Sequence, residues 1–149
     1  MIGYPNGLNT ILISTPTTRI YFRDWIISLM GARTNFIVKQ GEGRFVTLYS
    51  HWGGEEKLRD LAFALKRAKP RWSDYGYATR ILFNALQDNH DSETGFGIYA
   101  DEFGGEEEYD STIIDFTKQE VIINGNARSF ESFIEYEEEL LANHDFTTV

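Results

Sequence analysis

A chain of 149 residues with 42% hydrophobic and 15% aromatic side chains can bury one sizeable core and has little room for two. The complete lack of cysteine excludes disulfide frameworks and thiolate zinc sites, and fits a reducing compartment. Net charge is −9, but the halves are opposite: residues 30–87 hold ten Lys and Arg against five Asp and Glu, residues 88–149 two against seventeen. Such a division can steer an anionic ligand to one surface and a basic partner to another.

In chain order, the first 29 residues are irregular and rich in Thr, Asn and β-branched side chains, with "YFRDWIISL" their one strongly apolar part. They lack a basic region followed by an apolar block, and no run approaches the roughly 20 apolar residues of a bilayer span. Neither secretion nor a membrane is expected. Residues 1–29 read as an extension outside the core, and 30–149 as a single α+β domain.

"TNFIVKQ" (34–40) and "RFVTLYS" (44–50), joined by Gly41-Glu42-Gly43, predict a β-hairpin. From Glu55 to Ala68 the apolar residues Leu58, Leu61, Ala62 and Leu65 recur at helical spacing until Pro70. A second helix is expected from about Asp74 to Gln87, with Ser73 as its N-cap. Strands follow at "FGIYA" (96–100), "STIIDF" (111–116) and "EVIING" (120–125), the last two as a hairpin. The acidic stretch "GGEEEYD" (104–110) reads as a mobile loop. Ser129 then caps a terminal helix carrying Phe130, Phe133, Ile134, Leu140 and Leu141. The expected fold is α+β: an antiparallel sheet of about five strands, two helices on one face and a C-terminal helix.

"LYSHWGG" at 48–54, "RW" at 71–72 and "HDSETGFGI" at 90–98 are the distinctive motifs. Through them the chain resembles a group of small proteins encoded by tailed phages and prophages, over about Thr34 to Ile123. The resemblance implies a setting, a phage accessory protein acting inside a bacterium; an anti-defence role in the host cytoplasm is a further expectation built on that setting. It carries over no activity and no residue role, and the N-terminal extension departs from the short N-termini of that group.

Alternation along a strand puts Tyr49 and His51 on one face, Ser50 and Trp52 on the other, so Ser50 and His51 cannot act as nucleophile and base to each other. Trp52 is expected against the helices, and His51 away from them. Gly53 and Gly54 either make a tight packing turn or bring backbone N–H groups and a helix N-terminus to an anion. Glu55 and Glu56 weaken the second reading.

Arg71, Trp72, Tyr75, Tyr77 and Arg80 group guanidinium forks and flat rings between the two predicted helices, residue types that clamp phosphates and stack bases, or form hot spots of a protein interface. "DNHDSETGFG" (88–97) fails the calcium-loop pattern, His90 has no histidine partner nearby, and Gly95-x-Gly97 lacks a dinucleotide-binding context. No metal or other cofactor is expected.

The composite expectation is a non-catalytic binding module whose ligand site joins Tyr49, Ser50, His51, Trp52, Gly53 and Gly54 to Arg71, Trp72, Tyr75 and Arg80. Its ligand would be a phosphate-bearing nucleotide signal of the host. A protein-directed inhibitor using this surface or the acidic half is the second class. A phosphodiesterase using His51 or His90 as acid or base ranks last, for want of a nucleophile–base spacing, carboxylate pair or metal set. Nucleic acid is not an expected partner, because the basic first helix argues against a DNA mimic; short sheets with exposed edges are compatible with a homo-oligomer.

Overall fold

The computed structural model describes residues 31–88 and 92–147. The expected extension over 1–29, together with His90 and Asp91, lies outside the described residues. Strands β1 (Thr34–Lys39) and β2 (Phe45–Ser50) form the predicted hairpin. Helix α1 (Lys57–Ala68) leads through a 3-10 turn (Lys69–Arg71) into α2 (Tyr75–Gln87). Strands β3 (Phe96–Tyr99), β4 (Thr112–Asp115), β5 (Glu120–Ile123) and β6 (Asn126–Ser129) precede α3 (Phe130–Thr147).

The sheet has six strands in the order β3-β2-β1-β4-β5-β6. All neighbours are antiparallel except β1 and β4, which run parallel with Phe36 opposite Thr112 and Val38 opposite Ile114. The expected antiparallel sheet of five strands is therefore corrected to a mixed sheet of six. The sixth strand arises because Asn124 (φ 50°) and Gly125 (φ 81°) close a two-residue turn between Ile123 and its partner Asn126. Positive φ at both central positions is the geometry that matches strand twist.

One face of the sheet carries Phe36, Val38, Leu48, Ile114 and Val121, and all three helices bury their apolar stripes on it in one core. Leu61 and Leu65 come from α1, Ala78 and Leu82 from α2, Phe130 and Phe133 from α3. The N-terminus of α3 follows the expected pattern, since the Ser129 hydroxyl accepts the Ser132 N–H at 3.2 Å. Asp74 rather than Ser73 occupies the N-cap position of α2, without a side-chain cap.

The opposite face is mixed, with Ile37, Ile113 and Ile122 beside Asn35, Thr47 and Tyr49, and its β1–β2 part is covered by the acidic segment expected to be a mobile loop. Asn35 donates to the Gly105 carbonyl at 3.0 Å and to Glu107 at 2.8 Å, and accepts the Gly105 N–H at 3.0 Å. Thr47 donates to the Asp101 carbonyl at 2.7 Å, and Thr34, at the start of β1 and on the Ser50 side, donates to the Tyr109 carbonyl at 3.0 Å where the segment passes the end of the strand. Residues 101–110 thus form a strap over β1 and β2, replacing water around buried polar side chains that would otherwise be costly. Gly105 permits the approach: a Cβ there would stand 2.5 Å from the Tyr49 ring.

The strap also changes the meaning of the charge division. Arg33 pairs with Glu108 at 3.0 Å and Glu106 at 3.4 Å, Lys66 with Glu138 at 2.6 Å, Lys69 with Glu131 at 3.1 Å and Lys39 with Asp115 at 3.9 Å. Much of the basic half is therefore answered by the acidic half of the same chain. Glu108 lies below the ordinary glutamate value because it accepts the Arg33 backbone N–H and then its guanidinium.

Candidate functional site

The glycine bend is a packing corner. Ser50, 2% exposed, turns its hydroxyl to accept the Gly53 N–H at 2.9 Å. The Gly54 N–H goes to the Ala32 carbonyl at 2.7 Å. Both N–H groups expected to greet an anion are consumed. A Cβ on Gly54 would stand 2.6 Å from the Ala32 carbonyl oxygen and inside the Tyr109 ring, so only glycine lets β2 turn this close to the segment before β1.

His51 is half-buried and tied down on three sides. Its carbonyl accepts the Ala32 N–H at 2.8 Å, its N–H donates to Gly95 at 2.9 Å, and Nδ1 is 2.9 Å from the Tyr49 hydroxyl. Desolvation raises the Tyr49 phenol above its ordinary value, with Arg33 opposing. The alternation expected from the strand holds: Tyr49 and His51 share the strap side, Ser50 the helix side. Trp52 departs from the expected burial against the helices: it is 37% exposed, with its ring edge-on to His51 at 4.9 Å between centroids.

The N-terminus of α1 is likewise occupied. Glu56 precedes it and holds Arg59 at 2.5 Å, while the Lys57 ammonium is diverted to the Asp110 carbonyl of the strap. Desolvation lowers Lys57 from the ordinary lysine value, with Asp110 and Glu107 opposing.

At the other end of α1 the connector is structural too. Trp72, 7% exposed, is a core residue. Arg71 lies over the Tyr77 ring at 4.9 Å, and Tyr75 accepts from Arg44 at 3.0 Å. The bend precedes the twelve-residue helix and the connector follows it, so the two stand about 18 Å apart along its axis. The expected single basic hollow joining Tyr49–Gly54 to Arg71, Trp72, Tyr75 and Arg80 does not form.

Other surfaces of the described residues are concave. Beside the bend, a cavity of about 340 Å³ is walled by Ser50, Trp52, Phe96, Asp60, Leu86 and Asp88. Its ionisable side chains are carboxylates. Asp60 is exposed in overall area, yet its carboxyl is raised above the ordinary aspartate value by desolvation, with Arg59 opposing and Glu56 and Asp88 adding.

On the outer surface of the helix layer, Phe63 stands 60% exposed on α1 between two grooves. The groove toward α3 has a volume of about 460 Å³ and includes Ala62, Lys66 and Leu141; the groove toward α2, about 430 Å³, includes Arg67, Arg80 and Ile81. Neither Arg67 nor Arg80 is in an ion pair or over a ring among the described residues. Phe63 breaks the polar face of its helix, and that break is the signal of this surface present in the sequence.

Among the described residues no group of three or more His, Asp or Glu side chains could hold a metal ion, and no helix is long and apolar enough to cross a membrane. Comparisons with protein-family models, curated proteins and solved structures give no match.

Proposed function

We propose that the protein is a phage accessory binding module that engages a host protein directly through the outer face of α1 and α2. One observation carries the reading: Phe63, 60% exposed, is flanked by Arg67 and Arg80, whose guanidiniums have no internal carboxylate partner among the described residues. An exposed aromatic anchor beside uncommitted arginines is the composition of an interface hot spot. Most other basic side chains of residues 30–87 are held by carboxylates or rings of the chain itself.

The partner surface would present an apolar pocket rimmed by Asp or Glu, because Arg67 and Arg80 lose least on desolvation when each meets a carboxylate. The phage setting rests on the resemblance through Leu48–Gly54, Arg71-Trp72 and His90–Ile98. The reading in which a phosphate-bearing nucleotide is captured has less support, since the glycine N–H groups are spent and the arginines do not converge with them.

The test is affinity capture from bacterial lysate with the parent protein, Phe63→Ala, and the double substitution Arg67→Glu with Arg80→Glu. All three positions are exposed, so folding should be equal by circular dichroism. A stoichiometric protein partner held by the parent and lost by both variants supports the proposal. A partner retained by both, or calorimetric heat with nucleotides in place of a protein partner, rejects it.

A further inference from the structure

The cavity beside the glycine bend has the opposite electrostatic sense to the one that the residues around it suggest in sequence. Its floor is the end of β2, where Ser50 is buried, and its walls come from the first turn of α1 and the last turn of α2. Asp60 gives its backbone N–H to the Glu56 carbonyl at 3.0 Å, while its carboxylate makes neither a hydrogen bond nor an ion pair among the described residues. The nearby Arg59 guanidinium is turned onto Glu56 at 2.5 Å. Asp88 faces Asp60 from the end of α2, where it takes a left-handed conformation (φ 49°) and gives its N–H to the Asn84 carbonyl at 3.0 Å.

Helix polarity adds to these two charges. The C-terminus of a helix carries a partial negative charge that Lys, Arg or His commonly answers from the last turn. Helix α2 has no basic residue in its last turn. Among the described residues no Lys or Arg lines the cavity. A helix end without its customary cation thus opens onto two carboxylates, and the remaining wall is ring and hydrocarbon from Trp52, Phe96 and Leu86.

We propose that this cavity binds a small organic cation bearing N–H donors, an alkylamine or a short diamine, with its nitrogen between Asp60 and Asp88 and its carbon chain against Trp52 and Phe96. An ammonium group answers both carboxylates with charge-assisted hydrogen bonds and gains from the indole face. The volume, about 340 Å³, is at the small end of ligand pockets, which fits a short chain better than a nucleotide. A phosphate finds repulsion here and no free backbone N–H from Gly53 or Gly54. The desolvation of the Asp60 carboxyl agrees with a site partly withdrawn from water.

The test is titration of the full chain with 1,4-diaminobutane, tetramethylammonium and inorganic phosphate, read by calorimetry and by amide and indole chemical shifts. The diamine should bind and shift Trp52, Asp60 and Asp88, phosphate should not, and tetramethylammonium, lacking N–H donors, should bind more weakly. Asp60→Asn and Asp88→Asn should each weaken the diamine by about tenfold or more, the loss of one charged hydrogen bond. Because the chain carries net −9, Glu139→Gln on exposed α3 separates the site from diffuse attraction, and should leave the affinity unchanged. The proposal is overturned by no diamine binding at about 10 mM, by binding to phosphate instead, by shifts confined to α3, or by equal losses in Glu139→Gln and Asp60→Asn.

Discussion

The Trp72 indole donates its N–H to the Leu65 carbonyl at 2.9 Å and sets its ring edge-on to Phe130 at 5.0 Å. One side chain thereby closes the C-terminal turn of α1, where a carbonyl would lack a helical donor, and ties that turn to the start of α3. Trp72→Phe should keep most of the packing and lose the donor, costing about 2 kcal/mol through the buried carbonyl left unsatisfied. Trp72→Ala should cost about 4 kcal/mol, with the cavity added. Urea unfolding of both variants checks the order; a Trp72→Phe variant as stable as the parent would mean that the hydrogen bond contributes nothing, and equal losses that the ring packing adds nothing to it.

The two glycines of the bend should respond unequally to alanine. At Gly54 the added methyl meets the Ala32 backbone and the Tyr109 ring, neither of which can move without disturbing β1 or the strap. A loss of about 3 kcal/mol is expected. At Gly53 it meets the Ser50 hydroxyl at 2.5 Å, the end of a small rotatable side chain, so about 1 kcal/mol is expected. Thermal unfolding of the pair provides the comparison, and a Gly53 variant as unstable as the Gly54 one would contradict the account.

Thr112 sits opposite Phe36 in the parallel pair, and its buried hydroxyl has no hydrogen-bond partner among the described residues. Valine has the same shape without the polar atom. Thr112→Val should stabilise the fold by about 1 kcal/mol by removing an unsatisfied group. Chemical denaturation measures it, and destabilisation would reveal a partner for that hydroxyl.

Asp60 also makes a pH prediction whose sign can be worked out. Its folded value is raised, by desolvation first, with Glu56 and Asp88 adding and Arg59 opposing. The folded state then binds the proton more readily than the unfolded chain. Between the two values stability falls as pH rises, so the contribution is present below the ordinary aspartate value and lost above the raised one. Asp60→Asn should abolish this component and leave the variant more stable than the parent near neutrality. Unfolding free energies from acid to neutral pH test it; a parallel pair of curves would remove Asp60 as the cause.

Periodicity in the sequence was enough to place five strands and three helices, because apolar spacing of two or nearly four residues reports which face is buried whatever the partner. Val38 and Leu48, or Leu61 and Leu65, announce their faces locally. The sixth strand was not legible in the same way: Asn124-Gly125 is a hairpin signal, but the run "NARS" after it is exposed and has no apolar alternation to claim it as a strand. The parallel pairing of β1 with β4 was not legible, since both strands belong to local hairpins and nothing in either encodes the neighbour on its other side.

The candidate site divides in the same way. The sequence by itself determined that a glycine bend opens one helix and that arginines and aromatics cluster after it, because residue types and their order are local facts. Only the tertiary structure decided that the twelve-residue α1 holds those groups at opposite ends, that Trp72 points inward, and that the acidic half folds back to neutralise the basic half. The physical reason is that burial and Coulomb pairing depend on distances across the fold. The same Gly53 and Gly54 N–H groups that could have held an anion were instead committed to Ser50 and Ala32 by the packing of the corner.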